Sequence, residues 1–305
     1  MLPAIVGIAS QKDSKESCLS NINIVASGTE TRAITIRNID RFAELLDVER
    51  LQKDVWGCAD LDVAPATLLA ASREVGGVLV GAFDGPAMVG FVYGFPAYEH
   101  GTVSHHSHML AVKPAYRNLD LGYKLKLAQR EAVLAQGLDR ITWTFDPLQS
   151  LNAYFNFAKL GVMADTYKIN FYGEATSSFL HQFGTDRLWV TWALNSQRVR
   201  ARVEQRTSPE FPATDGISTM IQVGRQNSPQ RNITPKLPCE KHLLIEIPEN
   251  INDLQQRSAT LAREWREATR SAFTEAMNRG YVVEEFARTT IGNQSMGRYL
   301  LTHGG

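Results

Sequence analysis

The sequence predicts a mixed α/β (α+β) fold in which one sheet carries helices on its faces. Three observations support this prediction. Segments with alternating or β-branched residues predict strands, segments with apolar residues every three or four positions predict helices, and the two kinds are interleaved along the 305 residues. The length suggests about two domains.

The composition narrows the class of protein. The chain has 32 basic and 32 acidic side chains, so its formal net charge is zero. A balanced charge disfavours general nucleic-acid binding, which needs a basic surface. No apolar run reaches the roughly 18 residues of a membrane span. Cys18, Cys58 and Cys239 are far apart, so we expect no metal site. Together with the balanced charge and the short apolar runs, this predicts a cytoplasmic protein with no nucleic-acid partner and no membrane partner.

The elements can be assigned in order from the N-terminus. Residues 1–32 lack a regular pattern, and we expect them to be a flexible N-terminal extension. Ala33–Arg37 then alternates like a strand. Ile39–Val55 has apolar residues at helical spacing, with Asp40 as a candidate N-cap. Pro65–Val75 is predicted to be a second helix.

Strands and helices alternate through the following segment. Val78–Phe83 and Met88–Phe95 are predicted strands, and Asp84-Gly85 between them is typical of a tight hairpin. The elements after them are the strand Ser104–Val112, the helix Leu121–Ala135, the strand Arg140–Phe145, the helix Ser150–Lys159 and the strands Ala164–Tyr172 and Arg187–Leu194. This order predicts a mixed sheet with helices on its faces.

The last third divides into two parts. Residues 196–240 have weak periodicity and many prolines, so we predict a linker with one short strand or hairpin at Ser218–Val223. Residues 241–305 are predicted to form a strand-helix-strand-strand unit. Its elements are Leu243–Ile247, the long helix Asn252–Arg279, Tyr281–Phe286 and Arg298–Leu301. Gly161 and Gly280 each end a helix directly before a strand, which suggests a duplicated half-fold, although such C-caps are common.

One segment carries a recognisable motif. The strand that ends in Leu110-Ala-Val112 leads through a short loop into a helix, and the loop Arg117 to Gly122 matches R/Q-x-x-G-x-G/A except at Asp120. Asn152 to Gly161 is similar to a second signature, N…Y-x-K-x-G-F. From about Ile34 to Leu194 the chain therefore resembles the GNAT superfamily of acyl-CoA N-acyltransferases.

The resemblance implies a GNAT-type fold for residues 33–195, with residues 241–305 as an extension or a degenerate half of the same fold. It also implies acetyl-CoA or another acyl-CoA as co-substrate. Backbone N–H groups at the start of the helix would hold the pyrophosphate, because a helix N-terminus attracts anions. The implied contacts are Arg117, Asn118, Leu119, Asp120, Leu121, Gly122 and Tyr123 for the pyrophosphate, and Leu110, Val112 and Asn152 for the pantetheine arm.

The candidate catalytic residues lie in the preceding strand. His106 and His108 share one face by alternation, and we expect this face to continue through Leu110 and Val112. The pair resembles the arylalkylamine N-acetyltransferase branch, which implies that His108, with His106 through water, takes a proton from the amine. A pKa of about 6.5 suits this role. Strand histidines without a proton role are the alternative, and His105 on the other face disfavours a three-histidine metal site.

Two positions depart from the family pattern. Asp120 replaces the first loop glycine, where its carboxylate either repels a phosphate or caps the helix. Phe157 replaces the usual tyrosine, which would give a proton to the leaving thiolate, and Tyr154 is the candidate substitute. These departures leave open a catalytically degenerate protein that binds a ligand or partner.

The resemblance therefore predicts an N-acyltransferase that moves an acetyl, succinyl or other acyl group to a small-molecule amine or amino acid. Thr142, Thr144 and Asp146 are candidates to line the acceptor site, or ordinary strand residues. Arg263, Arg266 and Arg270 on the long helix form either a solvated face or a carboxylate-binding ridge. A homodimer is a possible oligomeric state that the sequence does not decide.

Overall fold

The computed structural model describes residues 21–25, 31–173, 184–205, 211–214, 216–232 and 240–304. Most of the predicted N-terminal extension lies outside the described residues, as do Cys18 and Cys239. Within the described ranges, no helix is long and apolar enough to cross a membrane.

The first eight strands confirm most of the predicted ones. They are β1 (Asn21–Val25), β2 (Thr31–Asn38), β3 (Val78–Asp84), β4 (Ala87–Glu99), β5 (Thr102–Val112), β6 (Arg140–Phe145), β7 (Met163–Lys168) and β8 (Arg187–Ala193). The predicted β3–β4 hairpin is confirmed, but its two-residue turn is Gly85-Pro86, because Asp84 still pairs with Ala87. Strand β7 is shorter than the sequence suggested, because the chain turns at residues 169–172.

Helices α1 (Phe42–Trp56), α2 (Ala66–Glu74), α3 (Leu121–Ala135) and α4 (Ser150–Ala153) accompany these strands. The prediction of Asp40 as N-cap of α1 is wrong. The buried carboxylate of Glu44 instead accepts hydrogen bonds from the backbone N–H groups of Asp40 and Arg41, both at 3.3 Å. Helix α4 continues as a π-helical turn over Tyr154–Leu160.

The two faces of the sheet bury different helices. On one face, here called the α1 face, Leu45 and Leu69 of α1 and α2 pack with Phe91 of β4. On the other, the α3 face, Leu121 and Leu125 of α3 share a core with strand residues and with the π turn that follows α4. Successive residues of a strand therefore pack alternately into the two hydrophobic cores on the two faces of the sheet.

The C-terminal third extends the same sheet. Its elements are α5 (Gln197–Val203), β9 (Ser218–Val223), β10 (Pro229–Arg231), β11 (His242–Pro248), α6 (Ile251–Arg257), α7 (Ala259–Asn278), β12 (Tyr281–Ile291) and β13 (Gln294–His303). The segment expected to be a linker thus contributes a helix and a hairpin. The predicted long helix is interrupted at Ser258, whose hydroxyl accepts a hydrogen bond from the N–H of Leu261 and caps α7.

Among the described residues the strand order is β1-β2-β3-β4-β5-β6-β8-β7-β12-β13-β11-β9-β10. The order β5-β6-β8-β7 recurs as β9-β11-β13-β12, and in each set the first two strands are parallel. The duplicated half-fold remains a prediction, and the two sets of strands share the order that it requires. In the second set, the carboxylate of Glu246 accepts a hydrogen bond from the N–H of Val223 and receives the guanidinium of Arg298.

Buried ion pairs join α7 to the first half of the sheet. The guanidinium of Arg266 donates to both carboxylate oxygens of Asp146, each at 2.7 Å, and Arg270 donates to both oxygens of Asp186 at 2.9 Å. Burial alone would raise the pKa of Asp146, but the attraction of Arg266 outweighs it and lowers that pKa. The carboxylate-binding ridge predicted on this helix therefore binds the protein's own carboxylates.

We expect Arg266→Ala to lower the free energy of unfolding by about 3 to 5 kcal/mol, because it leaves Asp146 buried without its partner. Urea denaturation measures this loss. Arg263→Ala is the control, since Arg263 is exposed on the same helix and its removal should cost less than about 0.5 kcal/mol. Equal losses for both variants would show that the Arg266–Asp146 pair does not anchor α7.

Candidate active site

Strands β5 and β6 form a fork. Their parallel pairing covers only His105 with Ile141 and His106 with Thr142, although both strands continue beyond these pairs. The vertex of the fork is therefore the His106–Thr142 pair. Its open end is the Val112 end of β5, where the chain enters the loop before α3. Past the vertex, β5 has no β6 neighbour for its backbone.

A β-bulge in β5 changes which side chains share a face. Tyr93 of β4 pairs with Met109 and Gly94 pairs with Ser107, so His108 is an extra residue in β5. His106 and His108 do lie together on the α1 face. The expectation that their face continues through Leu110 and Val112 is wrong, because the bulge shifts the alternation and places both of these on the α3 face.

His106 is buried at the vertex and belongs to a hydrogen-bonded chain. The hydroxyl of Thr142 donates to Oε1 of Glu99 at 3.0 Å, and Nδ1 of His106 lies 3.1 Å from the same hydroxyl oxygen. Since the hydroxyl has only one proton, Nδ1 of His106 must be the donor to it. This assignment leaves Nε2 without a proton and able to accept one.

The surroundings of His106 keep it neutral. Its ring lies 5.0 Å from the indole of Trp189 and 5.6 Å from the ring of Phe95. Burial, together with repulsion from His108 and Lys126, lowers the pKa of His106 to about 4. His106 is therefore a neutral imidazole, with a proton on Nδ1 alone, at neutral pH. An imidazole oriented by a hydroxyl and a carboxylate has the arrangement found in catalytic triads, while its lowered pKa makes it a weaker base than free imidazole.

His108 lies beside it in a more open position. Its ring is 6.4 Å from the ring of His106 and 5.7 Å from that of Phe95. The side chain is exposed to solvent, yet the surrounding protein displaces part of its hydration and lowers its pKa. His105 points to the α3 face as predicted, where Gln129 lies 3.2 Å from its Nε2, and burial lowers its pKa to about 3.

The loop at the open end of the fork carries the predicted phosphate contacts. Residues Pro114–Leu119 form a 3-10 turn, and Asp120 follows with φ 56°, in the left-handed region that favours glycine. Its side chain makes no cap hydrogen bond. Instead, its carboxylate pairs with Nζ of Lys159 at 3.1 Å. The interpretation of Asp120 as a side-chain cap is therefore wrong, and its charge is partly neutralised by Lys159.

Helix α3 begins at Leu121, so the N–H groups of Leu121 and Gly122 have no acceptor four residues earlier within the helix. The remaining predicted contacts, Arg117, Asn118, Leu119 and Tyr123, flank them in the loop and the first turn. Arg117 donates from Nε to the carbonyl oxygen of Val112 at 3.4 Å. The loop is therefore fastened to the open end of β5.

The predicted residues of α4 lie farther from the histidines. Tyr154 begins the π turn and is exposed, Asn152 is exposed, and Phe157 is fully buried against Phe145 and Tyr299. This helix packs on the α3 face, whereas His106 and His108 occupy the α1 face. The structure thus groups the loop, Leu110 and Val112 on one side of the sheet and the histidines on the other.

No group of three or more potential metal ligands occurs among the described residues. A surface cavity of about 350 Å³ lies along α7 between Ile169 and Asn278, and of the predicted candidates only Arg270, which pairs with Asp186, lines it. Glu99, Trp189 and Lys126 join the site without having been predicted, because no local pattern distinguishes them and only the pairing of distant strands brings them there.

No family model and no curated protein matches the chain. Among solved structures, a Desulfovibrio desulfuricans protein assigned to the GNAT family of acetyltransferases is 16% identical and covers 53% of this chain and 99% of its own, with a TM-score of 0.43. The Escherichia coli ribosomal-protein-S18-alanine N-acetyltransferase is 13% identical and covers 53% and 95%, with a TM-score of 0.43. An Enterococcus faecium aminoglycoside 6'-N-acetyltransferase is 17% identical and covers 53% and 98%, with a TM-score of 0.40.

The topology of this chain agrees with the motifs in its sequence. It has a parallel strand pair that opens into a fork, with a loop and helix at the open end and helices on both faces. The chain has a GNAT-type fold. These low-identity likenesses cover about half of the chain, so the chemistry of the site must be argued from its own residues.

We expect the imidazole of His106 to titrate near pH 4 and His105 near pH 3, because both are buried and remain neutral until strongly acidic pH. The unfolded chain binds more protons at these side chains between their folded and ordinary pKa values. Stability should therefore rise as pH increases from about 4 to 6.5. Histidine NMR titration, with His106→Gln to assign the signal, measures this directly. Titration of His106 at its ordinary value of 6.5 would contradict the buried site.

Proposed function

We propose that this protein is an N-acyltransferase that moves an acyl group, in the simplest case acetyl, from acyl-CoA to the amine of a small molecule or amino acid. The observation that carries the proposal is the fork: a neutral, oriented histidine lies at its vertex, and a loop that opens a helix lies at its open end. A base at one end and an anion-binding turn at the other suit a long, phosphate-bearing thioester.

The residues on the α3 face suit the binding of acyl-CoA. The N–H groups around Leu121 and Gly122 would hold its pyrophosphate, with help from the helix dipole. Past the vertex, the backbone of β5 near Leu110 and Val112 lacks a β6 partner, so an extended pantetheine arm can pair there as an added strand does. The exposed Asn152 is a further candidate contact.

On the α1 face, His106 and His108 would receive the acceptor. The unprotonated Nε2 of His106 takes a proton from the incoming ammonium, directly or through His108 and water, and frees the amine lone pair. Glu99 then stabilises the charge that His106 gains, through Thr142. The amine attacks the thioester carbonyl carbon, and the thiolate leaves. Holding both reactants at one vertex contributes to the rate.

The alternative is a protein of GNAT-type fold that binds a ligand or partner without transfer. Asp120 and Phe157 motivated this alternative. The ion pair of Asp120 with Lys159 weakens the argument from repulsion, while Phe157 remains unable to donate a proton. Only a turnover experiment separates the two functions.

Calorimetry with acetyl-CoA and succinyl-CoA tests the proposed co-substrate. We expect at least one to bind with a dissociation constant below about 1 mM, an affinity of roughly 4 kcal/mol or more. The absence of binding by both at that concentration would overturn the function. A preference between them identifies the acyl group.

Substitution of His106 tests the proposed base. With acetyl-CoA and a panel of small primary amines, His106→Gln should slow the release of CoA thiol by about 10²-fold to 10⁴-fold while leaving the binding of acetyl-CoA unchanged. His108→Gln shows whether His108 shares the role. His303→Gln in β13 is the matched control, and turnover of His106→Gln equal to that of this control would rule out the base.

Substitution of Asp120 tests the loop. Asp120→Gly should retain or improve CoA binding, because glycine adopts φ 56° freely and removes a carboxylate near the phosphates. Asp120→Ala should be about 1 to 2 kcal/mol less stable than Asp120→Gly, because alanine has a Cβ that is strained at φ 56°. Calorimetry and urea denaturation measure the two effects. Weaker CoA binding by Asp120→Gly would show that Asp120 supports the ligand.

A further inference from the structure

Lys126 of α3 is a buried cationic side chain that the proposed mechanism does not use. Its Nζ lies 2.7 Å from Oγ of Ser107, 3.1 Å from Oε1 of Gln129 and 3.8 Å from the centroid of the Trp143 ring. The residue is 3% exposed. A buried polar group of this kind requires an explanation, because its desolvation is costly.

The contacts suit an ammonium group. Such a group has three N–H donors, and here two face oxygens and the third faces an aromatic ring, which attracts cations. The hydroxyl of Ser107 uses its own proton on Oε1 of Gln129, at 2.9 Å, so its oxygen is left to accept from Lys126. Gln129 in turn lies against His105, and Gly94 provides the space because a Cβ there would collide with both.

What Lys126 lacks is an anion. The buried guanidinium groups of Arg130, Arg202 and Arg266 each contact a carboxylate. No carboxylate forms such a pair with Lys126 among the residues that the structure describes, and burial lowers its pKa without any opposing attraction. An anion that arrived beside Nζ would therefore meet no competing anion and would replace one of its three neutral contacts, in a setting where charges interact strongly.

The position of this ammonium group is the vertex of the fork. Ser107 and Trp143 are the first residues past the His106–Thr142 pair, one from each strand, and Lys126 lies against both on the α3 face. If acyl-CoA binds as proposed, it runs from the loop along Leu110 and Val112 toward this vertex. Its pyrophosphate is at the open end, so its sulfur is the end that reaches Lys126.

We infer that Lys126 is a further catalytic residue, which stabilises the departing CoA thiolate and gives it a proton. This inference rests on the proposed function. As the bond from amine nitrogen to carbonyl carbon forms, the carbon–sulfur bond breaks and its electron pair goes to sulfur. His106 has by then passed the first proton of the ammonium to solvent through His108 and water, so it takes the second proton from the attacking amine nitrogen, while the sulfur takes a proton from Nζ. Both side chains return to their starting states by proton exchange with solvent after the products leave.

The inference assigns the role that Phe157 cannot perform. It also divides the site between the faces of the sheet, with the base on the α1 face and the acid on the α3 face. Tyr154, the substitute predicted from the sequence, is exposed at the start of the π turn after α4, whereas Lys126 is enclosed at the vertex. A cation there stabilises charge that develops only when the carbon–sulfur bond breaks, which is the condition for lowering a barrier.

The ionisation of bound CoA tests the inference without an acceptor. The ultraviolet absorbance of the thiolate is titrated with CoA bound to the wild-type protein, to Lys126→Met and to Lys241→Met. We expect the bound thiol to ionise at lower pH in the wild type than in Lys126→Met, by about one pKa unit, a tenfold change in the equilibrium. Lys241→Met, at an exposed position directly before β11, should resemble the wild type. Equal thiol pKa values in the wild type and Lys126→Met would overturn the inference.

Stability and turnover give a second, independent test. Lys126→Met should match or exceed the wild type in urea denaturation, because it replaces a buried charge with an apolar chain of similar length. Its release of CoA thiol from acetyl-CoA should nevertheless fall by about 10²-fold. A purely structural Lys126 predicts the reverse, a less stable variant with unchanged turnover. If Lys126→Met fails to fold, Ser107→Ala removes one ammonium contact and should shift the thiol pKa by a smaller amount, and no shift would overturn the inference.

The two proposals fail in different ways. A wild-type protein that binds no CoA in calorimetry refutes the proposed function and this inference together. A protein that binds CoA and transfers the acyl group, with no effect of Lys126→Met on the bound thiol, refutes only the role of Lys126.

Discussion

The early end of the pairing between β5 and β6 is the constraint on which the site depends. Only two residue pairs join these strands, and beyond them the backbone of β5 has donors and acceptors that β6 does not satisfy. Backbone groups in a sheet need partners, so such a gap favours an extended ligand that completes the ladder. The bulge at His108 lies beside the gap and turns two imidazoles toward one face and Leu110 and Val112 toward the other.

Local signals in the sequence predicted much of the fold. Helix α3 has the predicted bounds, because a regular apolar stripe and a terminal glycine specify it, and β6 is equally well specified by its β-branched and aromatic residues. The interruption at Ser258 was not predicted, since its flanking residues continue the helical period. In that case a side-chain cap outweighed the periodicity.

The candidate site was less predictable, for a physical reason. The histidines and the loop have recognisable spacing within one segment. Glu99 reaches His106 only through Thr142, which a distant strand supplies, and Lys126 is one of several polar residues on α3 until its burial is known. The alternation of side chains along a strand also cannot predict the bulge, because one extra residue reverses the face on which every later side chain lies. The pairing of distant strands therefore determines which residues surround His106, and the local motif does not contain this information.

The second parallel pair, β9 with β11, gives this sheet an asymmetry between its two related halves. Beyond its last pairing, the backbone N–H of Val223 is satisfied by the carboxylate of Glu246, which Arg298 holds in place. The chain thus satisfies this second gap with its own side chain. Among the described residues the two related halves therefore differ, since Glu246 occupies the gap beside β9 while no carboxylate occupies the one beside β5, and on the proposed function only the β5 gap takes an extended ligand.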